Sequence, residues 1–534
     1  MKTILKNEIV KVLEKLGIEN NIPITIEIPK DKNNGDYSSN IAMQLTRVLK
    51  TNPREIATKI VDNINNENII KVEIAGPGFL NFFVKKDYLL SNINTVIELN
   101  DSYGKCNFGN NENVNIEYVS ANPTGFLHIG HARGARYGDS LARIMNFAGY
   151  DVTREYYIND AGNQINNLEK SIKVRYENLC GIDSELPENG YHGNDIIEVA
   201  KSIYSEYEKD APNDIFRKKG VDFLLTQIRQ DLKDFDIDFD VWYSETTLYE
   251  NNAVESTLKK LTNDGYTYEN EDAIWLKTTM YGDEKDRVLV KSDKNNTYLL
   301  PDIAYHINKF SRGYDNLIDV LGADHHGYIA RLKASIKMMG YDPDKLDVKI
   351  LQMVRLLKDG EEIKLSKRTG KTITLSELLS EVGKDAARYF FSMRSLDSQM
   401  DFDMTLATKK SNENPVYYIQ YAHARICSII REYNKEVKCI ESYETINSEY
   451  AMDLLNKVYE FTNIVESSAK RREPHIIANY VYELATAFHS FYAHEKVLND
   501  DIKYTEERIN LISSVAITIK NACYLLGVNV PEKM

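Results

Sequence analysis

Two histidines flank a short Ile-Gly step at the end of the run Ser120-Ala121-Asn122-Pro123-Thr124-Gly125-Phe126-Leu127-His128-Ile129-Gly130-His131. The alternating apolar residues Val114, Ile116 and Tyr118 before it predict a strand. Residues 132–148 after it predict a helix that ends at Gly149. The histidines therefore belong to a strand-to-helix turn. A helix start carries unpaired N–H groups and a partial positive charge, which suits phosphate. Taken alone, the same residues are as well explained by two histidines that cap the helix or pack against it.

Three later runs add to the first. Lys364-Leu365-Ser366-Lys367-Arg368-Thr369-Gly370 lies in a loop where residues 355–371 carry six cations against three acids. Lysines beside glycine suit a triphosphate whose charge grows during reaction, although a solvated basic loop is the plainer account of such a run. Gly322-Ala323-Asp324-His325-His326-Gly327 begins where a predicted strand, 317–321, ends. Open α/β sheets bind ligands beyond the carboxyl ends of their strands. There Gly322 allows close approach of a ribose or base, and Asp324 can accept from hydroxyls. A metal pair at His325 and His326 is disfavoured, because adjacent histidines on a turn rarely chelate one ion and no third ligand is evident. In Tyr298-Leu299-Leu300-Pro301-Asp302, Pro301 suits a helix start. Tyr298 and Asp302 could then face one pocket, or Asp302 could simply favour the helix N-terminus.

The elements that must position these residues form three regions. A chain of 534 residues is too long for one ordinary core. Residues 1–105 read as a small α+β module: an amphipathic helix with Leu5, Ile9, Leu13 and Leu16 on one face, a strand at 24–28, a turn at 35–38, a helix at 40–49, and a hairpin of 72–75 with 79–84. Residues 106–410 read as strand, helix, strand (152–157), then a long insertion at about 165–290, then a second strand–helix–strand set at 317–321, 327–339 and 348–351. Two such halves indicate a doubly wound, Rossmann-like α/β domain with a parallel sheet, split by the insertion. Thr374-Leu375-Ser376-Glu377 is a capping box that opens a further helix. Residues 411–534 read as an all-α helix bundle, with Ile477, Val481, Leu484, Phe488 and Phe491 at helical spacing.

Hydrophobic residues make up 43% of the chain and charged residues 27%, which describes a globular protein. No apolar run in the sequence approaches membrane-span length, and the N-terminal helix, with Glu8 and Glu14, lacks the pattern of a signal or transit peptide. The five cysteines are scattered, with no Cys-x-x-Cys pair, so neither zinc nor a disulfide framework is expected. That usage suits a cytoplasmic protein. The net charge of −14 argues against a nucleic-acid binder unless local patches supply one.

Together the four runs resemble the class I aminoacyl-tRNA synthetases. His128-Ile129-Gly130-His131 resembles their HIGH motif. Lys364 to Arg368 resembles their KMSKS loop, here placed at 358–371, with Leu365 in place of Met and Arg368 in place of the final Ser. Within the class the chain is similar to the arginyl-tRNA synthetases. That likeness rests on residues 120–131, 191–195, 239–245, 286–290, 298–310, 322–331, 352–370 and 414–425, and runs nearly end to end.

The resemblance implies attachment of L-arginine to tRNA(Arg) through an arginyl-adenylate, with release of AMP and pyrophosphate. It assigns His128, His131, Lys364 and Lys367 to catalysis, and Gly130, Gly322, Asp324 and Ser366 to ATP, which would bring Mg²⁺ with it. A guanidinium is best read by a carboxylate. Asp302 is the candidate, with Tyr298, Asn122, Glu245 and His325 around the arginine. Residues 1–105 would touch tRNA, and 411–534 would hold the anticodon. In 411–534, 13 Lys and Arg stand against 17 Asp and Glu. Tyr417 and Tyr421, with Arg425, are therefore the candidates to stack on unpaired bases, although each tyrosine is as well explained by packing. A monomer without membrane partners is expected. A catalytically dead tRNA-binding protein is the contrasting reading, and the intact His128, His131, Lys364 and Lys367 argue against it.

Overall fold

The computed structural model describes residues 2–18, 22–27, 29, 31–363 and 373–534. They divide into two compact units. The first comprises Met1–Asn100, Ile429–Asp453 and His494–Ile517; the second comprises Asp101–Ser428, Leu454–Ala493 and Thr518–Met534.

In the first unit, α1 (Lys2–Lys15) buries Leu5, Ile9, Val12 and Leu13, one stripe at helical spacing. Strands β1 (Tyr37–Ser39), β2 (Ile69–Ala75) and β3 (Phe79–Val84) form an antiparallel sheet in the order β1-β3-β2. The predicted 72–84 hairpin is therefore present. The strand expected at 24–28 is not: its described residues make a single bridge, Glu27 to Ser38, and the stretch expected to be a turn supplies β1 instead. Helices α2 (Ile41–Leu49), α3 (Pro53–Val61) and α4 (Lys86–Leu99) complete the module. Asn94 on α4 donates to Ile440 O (2.7 Å) and accepts from Tyr443 OH (2.5 Å).

The second unit is built on a five-stranded parallel sheet. Its strands are β4 (Asn113–Glu117), β5 (Asp151–Ile158), β6 (Val241–Ser244), β10 (Asn316–Gly322) and β11 (Leu346–Leu351), in the order β11-β10-β4-β5-β6. The chain winds outward from β4 to β6, then returns to the other side of β4. The strand order reverses between β4 and β10, where such sheets open a crevice. Helix α5 (Ile129–Phe147) follows β4 and packs so closely that a Cβ at Gly138 would stand 2.1 Å from the buried Tyr118 ring. A mid-helix glycine costs about 1 kcal/mol of helix propensity, and this contact explains its presence.

The stretch 165–290 is not wholly an insertion, because β6 lies within it as an edge strand of the sheet. Before β6, α6 (Asn163–Leu179), α7 (Asn194–Tyr207) and α8 (Ile215–Asp234) share a core that includes Leu168, Ile172, Val199 and Phe216. After it come α9 (Thr246–Glu250), α10 (Ala253–Asn263) and a meander of β7 (Thr267–Asn270), β8 (Ala273–Leu276) and β9 (Arg287–Val290). Helix α11 (Leu299–Ser311) carries Pro301 in its first turn, where a missing N–H costs nothing. Helix α12 (Ile329–Met338) joins β10 to β11 after a short 3₁₀ turn, Ala323–Tyr328. A second small sheet, β13-β12-β14, joins β12 (Val354–Lys358), β13 (Glu361–Glu362) and β14 (Met400–Asp403).

Helix α13 (Leu375–Val382) opens on the predicted capping box: Thr374 Oγ1 accepts from Glu377 N (3.1 Å), and Glu377 Oε2 accepts from Thr374 N (2.8 Å). Helices α14 (Lys384–Phe390) and α15 (Met404–Thr408) precede the all-helical end of the chain. That end comprises α16 (Pro415–Tyr433), α17 (Glu449–Arg471), α18 (His475–His494) and α19 (Ile502–Leu526). Against the expectation from sequence, α19 is long and apolar enough to cross a membrane, but most of its apolar stretch is buried in the protein.

Candidate active site

Strand β4 leads straight into the site. After Glu117 and the buried Tyr118, the backbone turns through left-handed conformations at Val119 (φ +67°) and Ser120 (φ +38°). For a β-branched residue this is strained, at about 1–3 kcal/mol per residue. Side chains and backbone hold the corner. Ser120 Oγ donates to Glu117 Oε1 (2.9 Å) and accepts from Tyr157 N (3.1 Å), and Tyr156 OH donates to Ala121 O (2.7 Å).

His128 is the N-cap of α5. Its Nδ1 accepts from Gly130 N (3.1 Å), and His131 Nδ1 accepts from His128 N (3.2 Å). The two rings stack, with centroids 3.8 Å apart. The histidines therefore do cap the helix, and this capping sets their chemistry. An Nδ1 that accepts carries no proton, so each neutral ring bears its proton on Nε2 and is a donor there. Beside them lies a cleft of about 670 Å³ at the carboxyl ends of β4 and β10, lined by Asn122, His128, Gly130, His131, Gly322 and Gln352, among others. This is the reversal point of the sheet. Asn122 is held by Gln164 Oε1 (2.6 Å).

Lys364, Ser366 and Lys367 lie outside the described residues. The flanks of their segment are in place: Ile363 N donates to Leu356 O (2.9 Å), while Thr374 bridges His128 and Leu375 N donates to Leu127 O (2.8 Å). Asp324 and His325 fall on the 3₁₀ turn after β10, and their side chains are outside the described set.

A second cluster surrounds Asp302 in the first turn of α11. The Tyr328 hydroxyl hydrogen-bonds the Asp302 side chain, and the Tyr157 hydroxyl hydrogen-bonds Glu245. Burial pushes both tyrosines well above the usual phenol range, and the neighbouring carboxylates push them further. Burial likewise raises Glu245, with Asp160 and Asp302 adding to it against the Tyr157 hydrogen bond. Among the described residues, no lysine or arginine forms a salt bridge with Asp302 or Glu245. The cluster is acidic: among the described residues the one basic side chain near Asp302 is His306, with Nδ1 3.7 Å from Asp302 Oδ1. Tyr298 stands at the N-cap of α11, one turn before Asp302, and is 61% exposed.

Five predicted residues thus meet in the cleft: Asn122, His128, Gly130, His131 and Gly322. Asp302 and Glu245 meet in the acidic recess, alongside Tyr157 and Tyr328, which the sequence reading missed. The reading also missed a buried network beneath both sites. Lys309 Nζ pairs with Glu117 Oε2 and with Asp319 Oδ1 (2.9 Å), and His306 Nε2 meets Asp319 Oδ2 (2.7 Å). Its signal was present as three polar residues at helical spacing, Asp302, His306 and Lys309, on a helix whose other buried residues are apolar or aromatic. Tyr417, Tyr421 and Arg425 share one stretch of α16. Tyr417 and Tyr421 are parallel at 6.2 Å, and Arg425 donates to Tyr492 OH (2.6 Å).

A parallel sheet with a His-x-Gly-His helix cap at its reversal point defines the catalytic domain of a class I aminoacyl-tRNA synthetase. Comparison with known families agrees: the model for the class I (R) tRNA synthetase catalytic domain matches residues 92–398, that for the arginyl tRNA synthetase N-terminal domain matches 3–84, and that for the DALR anticodon binding domain matches 419–534. The chain is 52% identical to an arginine–tRNA ligase of Staphylococcus epidermidis and 51% identical to one of Staphylococcus aureus, in each case over all of this chain and 99% of the relative. A solved Campylobacter jejuni chain, described as an arginyl tRNA synthetase, superposes with a TM-score of 0.79 at 37% identity, covering 84% of this chain and 100% of its own. The Thermus thermophilus arginyl-tRNA synthetase shares the fold, with a TM-score of 0.79 at 20% identity and full coverage of both chains. The chain belongs to the arginyl-tRNA synthetase family.

Proposed function

We propose that the chain attaches L-arginine to tRNA(Arg), with the cleft holding ATP and the acidic recess reading the guanidinium. The observation that carries this reading is the pair of carboxylates Asp302 and Glu245, set among tyrosine hydroxyls and with no lysine or arginine paired to either among the described residues, together with a cleft whose helix start and two imidazole donors suit phosphate. A planar cation with five N–H donors can meet two carboxylates at once.

ATP enters with Mg²⁺, held mainly by phosphate oxygens and water. A carboxylate oxygen of arginine attacks the α-phosphorus, the bond to the bridging oxygen of the β-phosphate breaks, and pyrophosphate leaves. The 2′-hydroxyl of the terminal tRNA ribose then attacks the acyl carbon, and AMP leaves. No covalent enzyme intermediate is needed, so catalysis is positioning and charge stabilisation. His128 and His131 donate to the phosphates from Nε2. Lys364 and Lys367 neutralise the departing pyrophosphate. Gly130, Gly322, Asp324 and Ser366 hold the nucleotide. Asn122, Tyr298 and His325 complete the arginine site, with Asn122 on the α-amino and carboxylate side.

Residues 1–105 contact the tRNA. Residues 411–534 bind the anticodon, where Tyr417, Tyr421 and Arg425 offer stacking faces. The catalytic region spans 106–410. The protein acts as a monomer in the cytoplasm, without membrane partners. Radiolabelled pyrophosphate exchange into ATP, run with each amino acid and with or without tRNA, tests the reading. Exchange with arginine alone is expected. Exchange with a different amino acid, or ATP binding without exchange, would sink it.

A further inference from the structure

The Asp302 recess and the strained turn after β4 are joined by one continuous chain of buried side chains. Ser120 Oγ donates to Glu117 Oε1 (2.9 Å), Glu117 Oε2 pairs with Lys309 Nζ, and Lys309 bonds Asp319 Oδ1 (2.9 Å). Asp319 Oδ2 meets His306 Nε2 (2.7 Å), and His306 Nδ1 lies 2.8 Å from Asp302 O and 3.7 Å from Asp302 Oδ1. Glu117, His306, Lys309 and Asp319 are all buried.

Both neighbours of the His306 ring are acceptors. A backbone carbonyl can only accept, and Asp319, paired with Lys309, is a carboxylate. Both ring nitrogens therefore carry protons. Lys309 and His306 hold Asp319 below the usual carboxylate range against burial, whereas burial raises Glu117, so the anion that faces the ring is Asp319. Among the described residues, the other charged or titratable groups facing this cluster are Tyr305 on the same helix and Glu155 and Tyr157 on β5. Glu155 is itself bonded by Tyr305 OH (2.8 Å), Arg312 (2.8 Å) and Asn115 (2.6 Å). Asp319 raises His306 above the usual imidazole range, against the pull of burial.

We propose that His306 is a positioning residue for the amino-acid substrate: held at both ring nitrogens, it fixes Asp302 in register with the Val119–Ser120 turn through Asp319, Lys309 and Glu117. Arginine must present its guanidinium to Asp302 and its carboxylate to ATP beside that turn. The spacing between the two ends is what this chain of contacts sets. The proposal rests on the assignment of Asp302 as the guanidinium carboxylate.

The test is steady-state pyrophosphate exchange on the full chain with tRNA present, for His306→Ala, His306→Gln and Asp302→Asn. His306→Ala is expected to raise the arginine KM about tenfold or more while the ATP KM stays within about twofold. His306→Gln, which still donates to Asp319, is expected to fall between it and the unaltered protein. A structural role alone would move the arginine and ATP KM values together, whatever the melting temperature, and that result would overturn the proposal. If Asp302→Asn greatly raises the arginine KM but His306→Ala leaves it unchanged, only the role of His306 falls. If Asp302→Asn also changes nothing, the pocket assignment falls, and the proposal with it. Long-range ¹H–¹⁵N NMR of the unaltered protein supplies a readout that needs no variant. At about pH 8 an ordinary histidine is neutral, and one of the ten histidines should keep both ring protons and shift on addition of arginine. Finding none would overturn the proposal.

Discussion

The floor of the catalytic sheet and the aromatic face of α16 are built in opposite ways. In the buried network beneath the cleft, the charged groups have fixed partners: Lys309 with two carboxylates, Glu155 with Tyr305, Arg312 and Asn115. On α16, Tyr421 is 39% exposed, lies parallel to Tyr417, and stacks on His489 at 5.8 Å. Arg425 rests over the Tyr492 ring at 5.0 Å. A small ligand with one charge pattern rewards groups held rigidly in advance, since each is stronger when desolvated and oriented. Unpaired nucleotides offer flat faces and a charged backbone, which partly exposed rings can meet without exact hydrogen-bond geometry. The acidic balance of residues 411–534 also favours stacking over general phosphate attraction.

Four substitutions probe that contrast. Asp302→Ala carries the largest expected effect, a loss of kcat/KM for arginine on the order of a thousandfold, with ATP binding retained by calorimetry. Unchanged arginine affinity would remove the recess from the preorganised side of the comparison. With the proposed role of neutralising the departing pyrophosphate, Lys367→Ala should lower the activation rate about a hundredfold with little change in the arginine KM. A rise in the arginine KM alone would argue for ground-state binding instead. Tyr421→Ala should raise the tRNA KM about tenfold while the arginine and ATP KM values hold. Equal changes in all three would mean that the ring packs and does not stack.

Gly527→Ala asks whether the two regions are mechanically separate. Gly527 follows α19 at φ +64°, and a Cβ there would stand 2.1 Å from an Arg388 nitrogen. Arg388 bonds Leu526 O (2.9 Å), Phe235 O (2.9 Å) and Asp139 on α5. The expected cost is about 1–3 kcal/mol, read as a lower melting temperature. A matching fall in exchange rate would tie the end of α19 to the signature helix.

A subtler check uses pH. His306 is raised above its ordinary value, so its contribution to stability is full below that value and is lost as pH rises through the folded one. The melting-temperature gap between the unaltered protein and His306→Gln should therefore narrow toward alkaline pH.

Local signals were legible where a residue type dictates its own conformation or bonding. The α5 cap at His128, the Thr374–Glu377 box, Pro301 in the first turn of α11 and the 72–84 hairpin all follow from short-range chemistry. The reading failed where partners decide. Residues 24–28 have the β-branched composition of a strand, yet the described ones make one bridge only, from Glu27 to Ser38 on β1. Val241–Ser244 looked like part of an insertion, yet it completes the catalytic sheet beside β5. α3 and α4 were also missed.

By itself, the sequence determined the class of chemistry through its runs taken together: a His-x-Gly-His at a helix start, a basic loop and an acidic residue at a second helix start each lie within a short segment. Only the tertiary structure decided which groups share a site. It set Tyr328 on Asp302, Tyr157 on Glu245, and His306 between Asp302 and Asp319. Those partners come from separate strands and helices. Burial and charge balance, which have no counterpart in a linear pattern, select them.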